Sequence, residues 1–118
     1  MLTKVQPGQG PNCNSTFTVS FYVPYIYQTE SGPPAPTSAD VYIKSIGPLT
    51  VAVSEFSGWA VQPKLIAKTD KLSKDIEKAE DLDSDPSAGD VWWFAGYDPP
   101  FRVSNRHNEV FLEVIKKI

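Results

Sequence analysis

The clearest pattern along the chain is an alternation in which Phe17, Val19, Phe21 and Val23 are apolar and Thr16, Thr18, Ser20 and Tyr22 lie between them. A period of two places successive side chains on opposite faces of an extended segment, so 17–23 is predicted as a half-buried strand closed by Pro24. Two further apolar runs, 41–46 and 49–56, are separated by Gly47-Pro48 and predict a tight hairpin or a bent strand ending at Ser57-Gly58. The period then changes. Leu65, Thr69, Leu72, Ile76 and Ala79 recur at steps of four and three, which lays one stripe along an α-helix. Pro63 suits its first turn, where a missing N–H leaves nothing unpaired, and the helix is placed at 63–80. Asp70 and Lys74 are spaced for an i,i+4 ion pair on its outer face.

Residues 81–89 are acidic and rich in helix breakers, so the helix should stop before them. Two more strands follow, at 91–95 and 110–115, joined by a loop over 96–108. In the first, Val91, Trp93 and Ala95 face one way and Trp92 and Phe94 the other, and apolar residues on both faces suit a central strand or one that meets a ligand. The first 14 residues, with Pro7, Gly8, Gly10 and Pro11, read as an irregular lead-in. Residues 28–40, around Gly32-Pro33-Pro34-Ala35-Pro36, read as a proline-rich connector. That stretch lacks the flanking basic residue of SH3 or WW ligands and is taken as a spacer. The order β-β-β-α-β-β predicts an α+β domain with an antiparallel sheet rather than a doubly wound one.

Composition bounds this picture. With 118 residues, 41% of them hydrophobic, the chain fits one core. Its net charge of −3, with no basic run longer than Lys116-Lys117, argues against a nucleic-acid grip, which needs clustered cations. No stretch approaches the roughly 20 apolar residues of a membrane span, and the first ten residues lack the apolar centre of a signal peptide. The single cysteine, Cys13, has no internal partner, which favours a reducing, cytoplasmic setting. The glycosylation pattern Asn14-Ser15-Thr16 keeps a secreted form open.

Candidate chemistry is sparse. The only histidine, His107, sits in a polar loop far along the chain from Cys13, and nothing flanking the thiol would activate it. No enzyme class is indicated. A structural zinc site built from sulfur and imidazole needs four ligands where the chain offers two. There is no haem-attachment motif and no phosphate-cradling glycine loop. The unusual segment runs from Tyr97 through Asp98, Pro99, Pro100 and Phe101 to Arg102, followed by Asn105-Arg106-His107-Asn108-Glu109. Two aromatics braced by prolines beside an arginine would form an apolar shelf with a cation at its lip, suited to a flat anionic ligand. The plainer reading is a turn in which Phe101 plugs the core and Arg106 pairs with Glu109 across the hairpin mouth.

The string AGYDPPFRVSNRHNEVFLEV, residues 95–114, closely resembles the C-terminal signature of the SOUL, or haem-binding protein, family. Phe21-Tyr22-Val23-Pro24, the proline connector before Asp40-Val41-Tyr42-Ile43, and Phe56-Ser57-Gly58-Trp59-Ala60 match in the same order. The resemblance implies a distorted β-barrel flanked by two helices and built from two similar repeats. This chain corresponds to the second repeat, a half-barrel with one helix, with Met1 an alternative start. It further implies reversible, non-covalent binding of haem or another porphyrin. Tyr97, Pro99, Pro100 and Phe101 would form the apolar face, and Arg102 would meet a propionate. His107 lies where the family does not ligate iron and is read as an exposed hairpin residue. Two other readings follow from the resemblance. Leu65 and Asp70 faintly echo helices that dock into cell-death regulators, although Leu65 and Leu72 are more simply core residues. Open sheet edges would also suit a homodimer in which two copies complete the barrel.

Overall fold

The final strand organises the molecule, because it pairs with three others. A computed structural model describes residues 1–7 and 15–117. It contains strands β1 (Leu2–Gln6), β2 (Thr16–Ser20) and β3 (Val51–Phe56), helix α1 (Gln62–Lys78), then β4 (Leu82–Ser84), β5 (Trp92–Gly96) and β6 (Asn108–Lys116). Single 3-10 turns lie at Tyr25–Tyr27 and Pro86–Ala88. The six strands form one antiparallel sheet in the order β2-β1-β5-β6-β3, with β4 also paired to β6. The sheet does not close into a barrel. The fold is α+β, with one helix laid on an open sheet.

Register explains the two faces. Thr3 lies opposite both Val19 and Phe94, Phe94 opposite Val110, and Val110 opposite Ser54, so these positions share one face. Helix α1 covers this face chiefly over β3, β6 and β4. There Leu65, Leu72 and Ile76 meet Phe56, Val110 and Val114, and Val110 is wholly excluded from water. Burying aliphatic side chains of this size contributes about 1.5–3 kcal/mol each, which is what holds the helix down. The helix begins with proline in its first turn, and Lys117 Nζ donates to the carbonyl of Ala79 just past its end. The entering turn uses Gly58 at φ +83°, a left-handed conformation that a side chain would strain. Asn108, buried at the start of β6, donates to the carbonyls of Gly58 and Phe56 at 2.7 and 3.4 Å, tying that turn to the sheet.

Several expectations change. Within the lead-in of residues 1–14, residues 2–6 form β1: alternating Thr3 and Val5 are buried, and the strand gains partners on both sides. The rest of that lead-in, residues 8–14 with Cys13 and Asn14, lies outside the described residues. The apolar run 41–46 is not a strand, and no hairpin forms at Gly47-Pro48. Only Val51–Phe56 finds a ladder, on β6, while Val41 and Tyr42 remain exposed. The acidic stretch 81–89 holds short β4, because Leu82–Ser84 can pair with the end of β6. On α1 the ion pair is Lys71–Asp75 at 3.0 Å, not Asp70–Lys74. The Cα radius of gyration is 16.1 Å, against about 13–14 Å for a compact domain of this length. Residues 21–50 add little to the core, and Phe21, Tyr22, Tyr25 and Ile26 are exposed.

Ile76→Ala should lower unfolding free energy by about 2–5 kcal/mol, because it opens a cavity at the helix–sheet contact. Lys71→Ala should change it by less than about 0.5 kcal/mol, since that ion pair is exposed. Paired urea titrations check both; equal effects would mean that α1 is not held by its apolar stripe.

Candidate functional site

The hairpin between β5 and β6 carries the unusual residues, and two side chains fold it. Arg106 turns inward and donates from Nη1 to the carbonyls of Pro99 and Arg102 at 2.8 and 2.7 Å, and from Nη2 to that of Asp98 at 3.4 Å. One planar cation thereby bonds three loop carbonyls, of which that of Pro99 also accepts the Arg102 backbone N–H at 3.1 Å. The guanidinium also lies over the Trp59 ring, 4.1 Å from its centroid. Asp98 closes the other side, accepting from the His107 backbone N–H and lying 3.4 Å from Arg102 Nε. Asn105, at φ 55°, makes the left-handed step that lets the chain return, a conformation asparagine tolerates.

With the backbone carbonyls turned onto Arg106, the tip presents its side chains outward. Phe101 is 84% exposed and Tyr97 58%, both beside the rigid Pro99-Pro100 pair. Arg102 is exposed, with Nε donating to the Ser104 carbonyl at 3.1 Å. Tyr97, Pro99, Pro100, Phe101 and Arg102 thus lie on one loop, with Phe101 and Arg102 exposed at its tip and Tyr97 half-exposed at its base. The plainer reading of this segment is overturned in two respects: Phe101 does not plug the core, and Arg106 does not pair with Glu109. Arg106 is taken by carbonyls, and Glu109 by Tyr97 and His107.

Beneath the shelf, Tyr97 Oη donates to Glu109 Oε1, and the Tyr97 and His107 rings lie 5.2 Å apart. The hydrogen bond to Glu109, aided by burial and by the carboxylate's charge, pushes the Tyr97 phenol up to about 12. His107 Nε2 lies 3.2 Å from Glu109 Oε2 and 3.6 Å from Glu55 Oε2. Its ring nitrogen is thus engaged by carboxylates.

A second apolar surface lies where α1 stops short. An open cleft of about 920 Å³ is lined by Thr3, Val5, Phe17, Val19, Ile66 and Phe94. Sequence reasoning missed this cleft, and it missed Trp59, Glu55 and the organising role of Arg106. Glu55 and Glu109 become neighbours only through the β3–β6 register. Arg106 could be assigned to the loop carbonyls only once the chain was folded back.

The described residues form an open antiparallel sheet with one helix and a hairpin whose loop is folded around Arg106. The chain belongs to the SOUL family: the profile described as SOUL heme-binding protein matches residues 1–113. It is 34% identical over 112 residues to Heme-binding protein 2 of Homo sapiens, covering 92% of this chain and 50% of that protein. It is 32% identical over 108 residues to Heme-binding protein 1 of Mus musculus, covering 90% of this chain and 53% of the relative. The chain therefore spans about half the length of the curated relatives it matches. Among the described residues no helix is long and apolar enough to cross a membrane.

The raised Tyr97 value carries a signed consequence. A phenol titrating higher in the folded chain than the ordinary 10 favours folding fully below about pH 10, and that contribution is lost as pH rises through about 12. Tyr97→Phe should therefore lower stability by a constant amount at neutral pH, with the difference from wild type closing above pH 10. Urea unfolding at a series of alkaline pH values checks this; a difference that widens there would contradict the bond to Glu109.

Proposed function

We propose that this chain binds haem or a related porphyrin reversibly and without a covalent bond, on the hairpin between β5 and β6. The observation that supports the reading is the exposure of Tyr97 and Phe101 on the loop that also carries Arg102, in a chain of the SOUL family whose relatives bear the name heme-binding protein. A planar macrocycle needs an apolar plane and a cation for its carboxylates, and the residues present fit both needs. Tyr97, Pro99, Pro100 and Phe101 would take the ring, whose burial supplies most of the affinity. Arg102 would take a propionate, sharing its guanidinium with Asp98. The porphyrin supplies its own iron and colour chemistry; the protein's part is to hold and shield the ring. Iron ligation is not assigned to His107, because its Nε2 faces Glu109 and Glu55. The role that fits is carriage or buffering rather than catalysis.

A second reading, assembly with another copy, is favoured by the exposure of Phe17 and Val19 on edge strand β2, beside the open cleft. Such an edge offers both unpaired backbone and apolar side chains to a partner strand. Docking of α1 into a cell-death regulator is less well supported. Leu65 is 6% exposed within the core cluster, so the helix would have to leave the sheet to present it.

Hemin titrated into the chain should shift the Soret band saturably at one per chain. Arg102→Ala should weaken binding about tenfold, the lower end for a charge-assisted bond at a half-exposed site. Phe101→Ala should weaken it by a similar factor through lost ring contact. Unchanged affinity in both variants would remove the hairpin from the site. For assembly, light scattering at high micromolar concentration should give twice the chain mass, falling to one chain in Phe17→Lys. A single-chain mass in the wild type would contradict it.

A further inference from the structure

On the face of the sheet opposite α1, two glutamates stand directly across from each other. Glu55 of β3 and Glu109 of β6 are register partners, and like charges so placed repel unless a cation lies between them. A single imidazole nitrogen occupies that position: His107 Nε2, 3.2 Å from Glu109 Oε2 and 3.6 Å from Glu55 Oε2. One N–H cannot point at both carboxylates at once. All three ligand-capable atoms lie within 4.8 Å of one another.

These spacings match a metal polyhedron. Zinc bonds of about 2.0–2.1 Å to nitrogen and oxygen, set at tetrahedral angles, place neighbouring ligand atoms roughly 3.3–3.4 Å apart. Both nitrogen-to-oxygen distances fall near that edge, and the two carboxylate oxygens, within 4.8 Å of each other, would close toward it as an ion entered.

The surroundings suit ligation. Tyr97 Oη donates to Oε1 of Glu109 and leaves its Oε2 turned toward the imidazole, the arrangement by which a neighbouring donor orients a ligating carboxylate. The Tyr97 ring against His107 restricts the imidazole plane. The side chains of Glu55 and His107 are 70% and 47% exposed, which leaves an entry path and a fourth position for water. Counting only thiols and imidazoles hides such a site, because two of its three ligands are carboxylates brought together by strand register.

We infer that Glu55, His107 and Glu109 form a binding site for a divalent transition-metal ion of the zinc type, clamping the base of the β5–β6 hairpin to β3. One nitrogen and two carboxylate oxygens suit zinc better than magnesium or calcium, which take six or more oxygens. Ligation through Nε2 requires the neutral tautomer whose single hydrogen is on Nδ1. The inference stands independently of porphyrin binding.

The test titrates zinc chloride calorimetrically into the untagged full chain carrying Cys13→Ser, so that neither the thiol nor a histidine tag competes. One zinc per chain should bind, with magnesium giving no comparable heat. Glu55→Gln changes an exposed side chain remote from the core and should raise the dissociation constant at least tenfold; His107→Gln should do the same, with far-UV circular dichroism verifying the fold of both. No zinc heat in the parent chain, or an unchanged constant in correctly folded Glu55→Gln, would overturn the site.

Discussion

The inward-turned guanidinium of Arg106 is the constraint on which the shape of the β5–β6 hairpin depends. The hairpin from Tyr97 to His107 contains two consecutive prolines, and its backbone bonds, Tyr97 N–H to His107 and Arg102 N–H to Pro99, leave other carbonyls of the loop open. Bare carbonyls at a turn would either draw water beneath the loop or let it sample many shapes. Arg106 bonds three loop carbonyls and lies over the Trp59 ring, which ties the loop to the segment leading into α1. Phe101 and Tyr97 project outward as a result of that inward commitment. A rigid apolar shelf binds a flat ligand with less ordering entropy than a mobile loop would.

Strand β6 extends this constraint through the fold. It carries Val110 and Val114 into the core beneath α1, Asn108 into the turn at Gly58, and Glu109 into the cluster with Tyr97 and His107. Because side chains alternate along a strand, one segment builds the helix-facing core and the opposite polar cluster at the same time. Displacing β6 would disturb the core and the hairpin together. The β2 edge and residues 21–50 sit outside this linkage. Phe17, Phe21, Tyr22, Tyr25 and Ile26 there are exposed.

What the sequence revealed follows from how local each signal is. The stripe of Leu65, Leu72 and Ile76 is a helix's own periodicity, so its position and buried face could be read directly. Trp92 to Ala95 could be read as central because both faces are apolar, and β5 does lie between β1 and β6. The run 41–46 misled because β-branched residues signal a strand without supplying a neighbour, and only 51–56 reaches β6. Residues 2–6 were hidden for the opposite reason: nearby prolines and glycines suggested irregularity, whereas pairing on both sides overrode it. The aromatic shelf was visible as a string of residue types. Its brace and the Glu55–His107–Glu109 cluster depend on register and loop return, which no local pattern encodes.

Two apolar surfaces compete for the proposed ligand, the hairpin shelf and the cleft beside β1 and β2, and amide hydrogen exchange with and without hemin separates them. The account predicts slowed exchange concentrated at residues 97–107, with β1 and β2 unchanged. Slowing centred instead on Thr3, Val5, Phe17 and Val19, or absent from the hairpin at saturating hemin, would contradict it.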